Sequence, residues 1–542
     1  MGRDRSSLDP RGAEALPSPF FAWILAAAAG LALLYALRLF YHDDAYIALS
    51  YARNLLRGRG LVWTTGEHVE GYTSLLWVVA CAALGWLGLD LEVATRVLGL
   101  ASLGALIATL VWRQGRCGAW AVALLATGGP AIAWSIGGLE TVAFALFVTA
   151  ALLAGERLLD EAWGAEESAP PQATATRHAV GVGLLFGLAE WCRPEAPLFF
   201  GLTASLLALR WLRARARGDL VRLVCLVAGF AALYLPRLAW RWSYYHDLLP
   251  NTAYVKVPGG TLDVLHGAGY VGTFALYYLL PLLPAVVVSF FAGTWRSIPR
   301  GGYLACCVAA YLAYVVVIGG DHMQWFRFIV PVLPVGLLLT ARWVEAVSGG
   351  RRWIAASTLG ALVAVNLFST RYLSISKPWW LLDPTARSVY WWFPDPAARS
   401  GAAVGIWIKE HWPAGSLVAL NTAGSTAYFS DLPCIDMLGL NDRHISRRSM
   451  PPPPKGLSWA LLPGHRKGDG AYVLSRHPDF IILGGATGQE WVWFVGDQEI
   501  SETAEFKAGY RRRDVRVPAF RGFGPYDFRY YERTIPGGPG AP

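Results

Sequence analysis

The chain is short of charge and of paired cysteines. Only 16% of its 542 residues are Asp, Glu, Lys or Arg, against 54% hydrophobic, which excludes an ordinary soluble enzyme. The seven cysteines, Cys81, Cys117, Cys192, Cys225, Cys306, Cys307 and Cys434, show no metal-ligand spacing. Six lie in or beside apolar segments as small core residues, and Cys434 is alone in a polar tail, which therefore has no internal disulfide. Internal repeats, a Gly-rich phosphate loop and low-complexity stretches beyond linkers are all missing. The net charge of +9 does not mark a nucleic-acid binder, because the arginines sit in short loops between apolar runs.

What is present is a series of apolar runs, several of them near the roughly 20 residues that cross a bilayer. The first, residues 20–40, follows an N-terminus carrying Arg3, Arg5 and Arg11. It is too long for a signal-peptide core, so it is expected to be a retained anchor with the N-terminus inside. Further spans are expected at 92–112, 118–135, 139–156, 178–190, 196–211, 220–238, 270–292, 302–318, 326–345 and 353–370. Residues 71–88 are then an interfacial helix, and 44–58 a helix along the membrane surface. This choice puts the arginine-rich loops 113–116, 210–222, 295–300 and 341–353 inside.

The expected fold is an α-helical polytopic membrane protein of about 11 transmembrane helices with a C-terminal extracytoplasmic α/β domain. Its parts are a cytoplasmic N-terminus (1–19), a transmembrane domain (20–370) with a first external loop (41–91), and an external domain (371–542). The tail opens on aromatic and proline-rich linkers, KPWWLLDP and YWWFPDP. AARSGAAVGIWIKEHWP then reads as a helix, SLVALN, CIDML and PDFIIL as strands, and PPPPKG (451–456) as a loop.

On this topology the leftover polar residues gather on the outer side, at helix ends, where a cavity lined by both charge signs would keep them solvated. His42, Asp43 and Asp44 stand together where the first span emerges. One Asp suffices as a helix cap; the second points to a general base, with the other orienting it or holding a cation. Glu70 and Tyr72, in TTGEHVEGYTS, are candidates for an acceptor pocket. Arg193, Lys256, His322 and Arg327 are candidates for gripping an anionic head group, with Asn251 and Asp321 beside them. Such a set fits transfer of a sugar from a polyprenyl phosphate to an acceptor hydroxyl, with the lipid phosphate as leaving group. A secondary transporter, or a non-enzymatic envelope assembly protein, is the competing reading.

The stretch HDDAYIALSYARNLLRGRGLVWTTGEHVEGYTSLLW resembles the first external loop of the bacterial GT-C glycosyltransferases. It is most like the group containing the terminal arabinofuranosyltransferase of the mycobacterial cell wall. LLPNTAYVKV, GGDHMQWFRFIVPVLP and STAYFSDLPCIDMLGLND also match segments of that group, so the resemblance runs over about 40–445. It implies an acidic base in the first external loop, Asp43 or Asp44, with Asp43 favoured because Asp44 is better placed to cap. It also implies a polyprenyl-phosphate sugar donor, a cell-envelope glycan, lipid or protein acceptor, and a place in the bacterial inner membrane. Neither the sugar nor a divalent metal ion is fixed by it.

Overall fold

A computed structural model of the chain describes residues 19–163, 172–256, 260–279, 302–348, 351–373, 395–450, 464–489 and 494–534. The expected linkers KPWWLLDP and, up to Pro394, YWWFPDP, the PPPPKG loop, the inside loop 295–300 and the second half of the span at 270–292 lie outside the described residues.

The N-terminal two-thirds are helical. In order they are α1 (Pro19–Ala36), α2 (Asp43–Leu56), α3 (Leu75–Trp86), α4 (Leu91–Thr127), α5 (Gly129–Ile136), α6 (Thr141–Trp163), α7 (Gln172–Cys192), α8 (Ala196–Ala214) and α9 (Arg217–Tyr245). There follow α10 (Asn251–Val255), α11 (Thr261–Phe274), α12 (Gly302–Val317), α13 (Leu333–Val347) and α14 (Arg352–Leu373). Among the described residues four helices, α4, α6, α9 and the Arg352–Thr370 part of α14, are long and apolar enough to cross a membrane. The protein is a helical membrane protein. Its helices approach closely where side chains are absent: a Cβ on Gly183 of α7 would strike the Leu226 carbonyl of α9, and one on Gly229 would strike that of Val180.

Several expected elements differ. The segments at 178–190 and 196–211 belong to helices of 21 and 19 residues; the polar residues at their ends continue the helix where hydropathy fades. The span at 118–135 is broken at Gly128, where α4 ends and α5 begins; Gly115, just before the span, leaves helical geometry inside α4. At 326–345 the helix begins only at Leu333. The preceding residues 318–332 form a buried irregular strap in which Trp325 and Phe326 both take positive φ, at 58° and 46°. Non-glycine residues hold that geometry only where packing dictates it. Here the Trp325 ring fills the space that a Cβ on Gly129 would need, and Trp134 Nε1 donates to the Gln324 and Trp325 carbonyls.

The α2 segment is not a surface helix. Asp43, all of 45–52 and Asn54 are buried, because a second domain packs over the face that amphipathic spacing assigned to water. That domain contains α15 (Pro396–His411), β1 (Val418–Leu420), α16 (Ser425–Ser430), β2 (Cys434–Asp436), α17 (Arg443–Arg447) and α18 (Gly470–Ser475). It continues with β3 (Phe480–Ile482), α19 (Val495–Glu502), α20 (Ala504–Gly509), β4 (Tyr510–Val517) and β5 (Tyr526–Arg533). The five-stranded sheet runs β2-β1-β3-β5-β4, parallel over its first three strands and antiparallel at β5 and β4. The three expected strands are its parallel half. The β4–β5 hairpin was missed because YRRRDVRV and YDFRYYER carry too much charge for a core strand.

The two parts are clasped through the first loop. Trp63 Nε1 donates to the Ala423 carbonyl (3.2 Å), Thr64 Oγ1 to that of Cys434 (3.0 Å) and Tyr51 Oη to Asn441 Oδ1 (3.1 Å). Arg57 meets Asp431 at 2.7 Å.

Candidate active site

Where the first loop, the α7–α8 turn, the α9–α10 loop and the 318–332 strap converge, they enclose a cavity of about 430 Å³. Its walls carry Asp44, Tyr72, Arg193, Lys256, Asp321, His322 and Arg327 from the expected set, together with Glu140 and Glu195. Leu440 of the C-terminal domain also lines it, so that domain helps to build the site.

The four lining carboxylates are not equivalent. Glu195 takes both Arg193 Nε (3.1 Å) and Nη2 (2.7 Å), and Glu140 takes Arg193 Nη1 at 3.0 Å. Asp321 accepts from Arg327 Nε at 2.8 Å and has His322 Nδ1 at 3.6 Å. Asp44 alone has no ion pair or side-chain hydrogen bond among the described residues. Burial pushes its carboxyl up, but His42, Lys256, Arg327 and His322 outweigh that and hold it below the usual carboxylate range. It is therefore held as the carboxylate. Among the cations, Lys256 likewise carries no ion pair within the described residues, whereas Arg193 and Arg327 are engaged.

The other expected site residues are elsewhere. His42, not an aspartate, caps α2: its Nδ1 accepts from the Asp44 amide at 3.2 Å. The reason to prefer Asp43 as the free carboxylate, that Asp44 caps, therefore fails. Asp43 points away from the cavity to the C-terminal domain, where Oδ1 accepts from the Ser425 amide (2.8 Å) and hydroxyl (2.6 Å). Glu70 does not line the cavity; it is buried against Arg241 at 2.6 Å. Asn251 spends its amide on the carbonyls of Gly439 (2.8 Å), Leu440 (3.0 Å) and Asp442 (3.2 Å). Sequence spacing missed Glu140 and Glu195 as partners of Arg193; the only local signal was the Arg-Pro-Glu order at 193–195. Among the described residues no group of three or more His, Cys, Asp and Glu is arranged to hold a metal ion.

Asp43, which is buried, and Asp395, which is half-buried, form an acidic pair. Burial, then the Asp395 charge, push Asp43 up to about 6 despite the Ser425 hydrogen bonds. Burial, then the Asp44 charge, push Asp395 up to about 7. The folded state thus keeps protons that the unfolded chain has released above about pH 4, and that contribution is lost as pH rises toward about 7. The lowered His42 and His322 give the opposite slope, but both are present in the wild type and in an Asp43→Asn variant. The variant is expected to gain thermal stability relative to wild type between about pH 5 and 8. Parallel melting curves across that range would refute the acidic pair.

Residues 393–531 match a family model described as a domain of unknown function, DUF8728. Among solved structures, ArnT from Cupriavidus metallidurans bound to undecaprenyl phosphate is 12% identical with a TM-score of 0.49, covering 77% of this chain and 86% of that one. The Archaeoglobus fulgidus oligosaccharyltransferase in its apo form is also 12% identical, with a TM-score of 0.47, over 77% of this chain and 64% of that one. In sequence, the chain is 30% identical over 360 residues to the terminal β-(1→2)-arabinofuranosyltransferase of Corynebacterium glutamicum. The match covers 58% of this chain and 50% of the relative, so the chain spans about half the length of that curated protein. The curated relative and the resemblance of the first loop thus point to one group: the chain is similar to a terminal arabinofuranosyltransferase.

Proposed function

We propose that the protein is a membrane glycosyltransferase of the bacterial inner membrane. It moves a hexosyl or pentosyl group from a polyprenyl phosphate to a cell-envelope glycan, lipid or protein acceptor on the outer face. The observation that carries this reading is that Asp44 and Lys256, neither in an ion pair among the described residues, line one cavity. The similarity to an arabinofuranosyltransferase supports the reaction class.

In this mechanism the acceptor hydroxyl enters beside Asp44. Its proton passes to Asp44 as its oxygen attacks the anomeric carbon. The bond from that carbon to the phosphate oxygen breaks, and the polyprenyl phosphate leaves with the electron pair. Lys256, His322 and Arg327 line the same cavity and meet its charge, with Lys256 the cation that carries no ion pair among the described residues. Tyr72 supplies an aromatic wall against which an acceptor or donor ring can lie.

The test is release of polyprenyl phosphate by the purified protein in lipid, from a panel of polyprenyl-phosphate sugars with an acceptor extract. Release from one donor would identify the sugar; no release from any donor by folded protein would favour transport or assembly. Within that assay Lys256→Ala is expected to raise the donor KM about tenfold, the scale of one charge-assisted hydrogen bond. An unchanged donor KM would remove Lys256 from the phosphate site.

A further inference from the structure

We propose that Asp43 is a positioning residue: it docks the Gly424–Ser425 corner of the C-terminal domain onto the first turn of α2 and so fixes where Asp44 points. This rests on the reading of Asp44 as the base.

The backbone at 41–44 is held from two sides. On the membrane side the His42 amide donates to the Gly137 carbonyl at 3.2 Å. On the domain side the Asp395 amide donates to the Tyr41 carbonyl at 2.9 Å, and the Asp43 amide faces the Asp395 carboxylate. Asp43 Oδ1 then takes two donors from Ser425, whose hydroxyl also reaches the Ala397 carbonyl at 3.1 Å. Asp43 thereby ties α2 to the starts of α15 and α16 through one buried side chain. No room is left at the contact. A Cβ on Gly424 would overlap the Asp43 carbonyl and carboxylate, and one on Gly401 would overlap the Ser425 hydroxyl.

Adjacent residues in a helical turn project about 100° apart. Rigid fixation of Asp43 on the domain therefore sets the bearing of Asp44 into the cavity. Any rotation of the first turn that frees Asp43 also swings the base away from the acceptor, and a displacement of about 1 Å costs about 10²-fold in rate.

The experiment separates docking from proton chemistry, using the full chain in lipid. Asn at 43 still presents an oxygen to both Ser425 donors, whereas Ala presents none. Asp43→Asn is expected to keep kcat within about tenfold of wild type, while Asp43→Ala and Gly424→Ala lower kcat about 10²-fold. The donor KM should change less than threefold in all three (roughly, since the phosphate site of Lys256 is untouched). Hydrogen exchange supplies the second arm: amides of 424–431 should lose protection in Asp43→Ala and retain it in Asp43→Asn. If Asp43→Asn is as inactive as Asp44→Asn with protection intact, Asp43 has proton chemistry of its own and the docking role is overturned. If wild type releases no polyprenyl phosphate, the transferase reading fails, and exchange alone still decides. Unchanged protection in Asp43→Ala would then overturn the docking role.

Discussion

Asp44→Asn is expected to lower turnover by about 10² to 10⁴-fold, the range for losing an acid–base group, with the protein still folded. The amide matches the carboxylate in size but cannot take a proton from a hydroxyl. The structural cost should be small because the wild-type carboxylate has no ion pair or side-chain hydrogen bond among the described residues to lose. Donor binding should hold or tighten, since a negative charge near the phosphate site is removed. The contrast with the neighbouring position sharpens the test: Asp43 is the more buried of the two, yet its conservative substitution is expected to be the milder. Wild-type turnover in Asp44→Asn would place the base elsewhere in the cavity. Unfolding of that variant, read from its melting curve, would show that Asp44 is structural.

The second large effect is on stability. Arg193 was expected to bind phosphate, but its guanidinium is committed to Glu195 and Glu140 and packs 5.1 Å from the Phe328 ring centroid. All three charged side chains are at most 7% exposed. Arg193→Ala leaves two buried carboxylates with no cation between them, a change that costs about 3–5 kcal/mol where one partner of a buried pair is removed. A lower melting temperature and poor recovery from membranes should follow. Adding Glu140→Gln and Glu195→Gln should restore much of the loss, because the neutral amides need no counter-charge. Unaltered melting of Arg193→Ala would show that the triad does not hold this turn. A raised donor KM without loss of stability would return Arg193 to the phosphate site.

Much of the site's membership was legible in the chain. Asp44, Arg193, Lys256, Asp321, His322 and Arg327 all line one cavity. Each is a polar residue stranded at the end of an apolar run, where the cost of burying charge leaves few alternatives. Roles were less legible. Asp43 and Asp44 are indistinguishable as residue types, and which of them faces the cavity depends on Ser425, 382 positions away. Glu70 and Asn251 carried the same polar signal as the lining residues, yet Arg241 and three backbone carbonyls claim them. The strap at 318–332 is apolar enough to read as the start of a span. Prolines at 331 and 334 and the packing of Trp325 against Gly129 keep it irregular.

By itself the sequence determined the membrane class, the parallel half of the C-terminal sheet and the gathering of charge at helix ends. Those follow from composition, run length and local periodicity, which act between neighbours in the chain. The tertiary structure decided which carboxylates are paired and which is left free. An ion pair is set by distances across the fold, and in a buried site the partner, more than the residue type, determines whether an acid is a strut or a base.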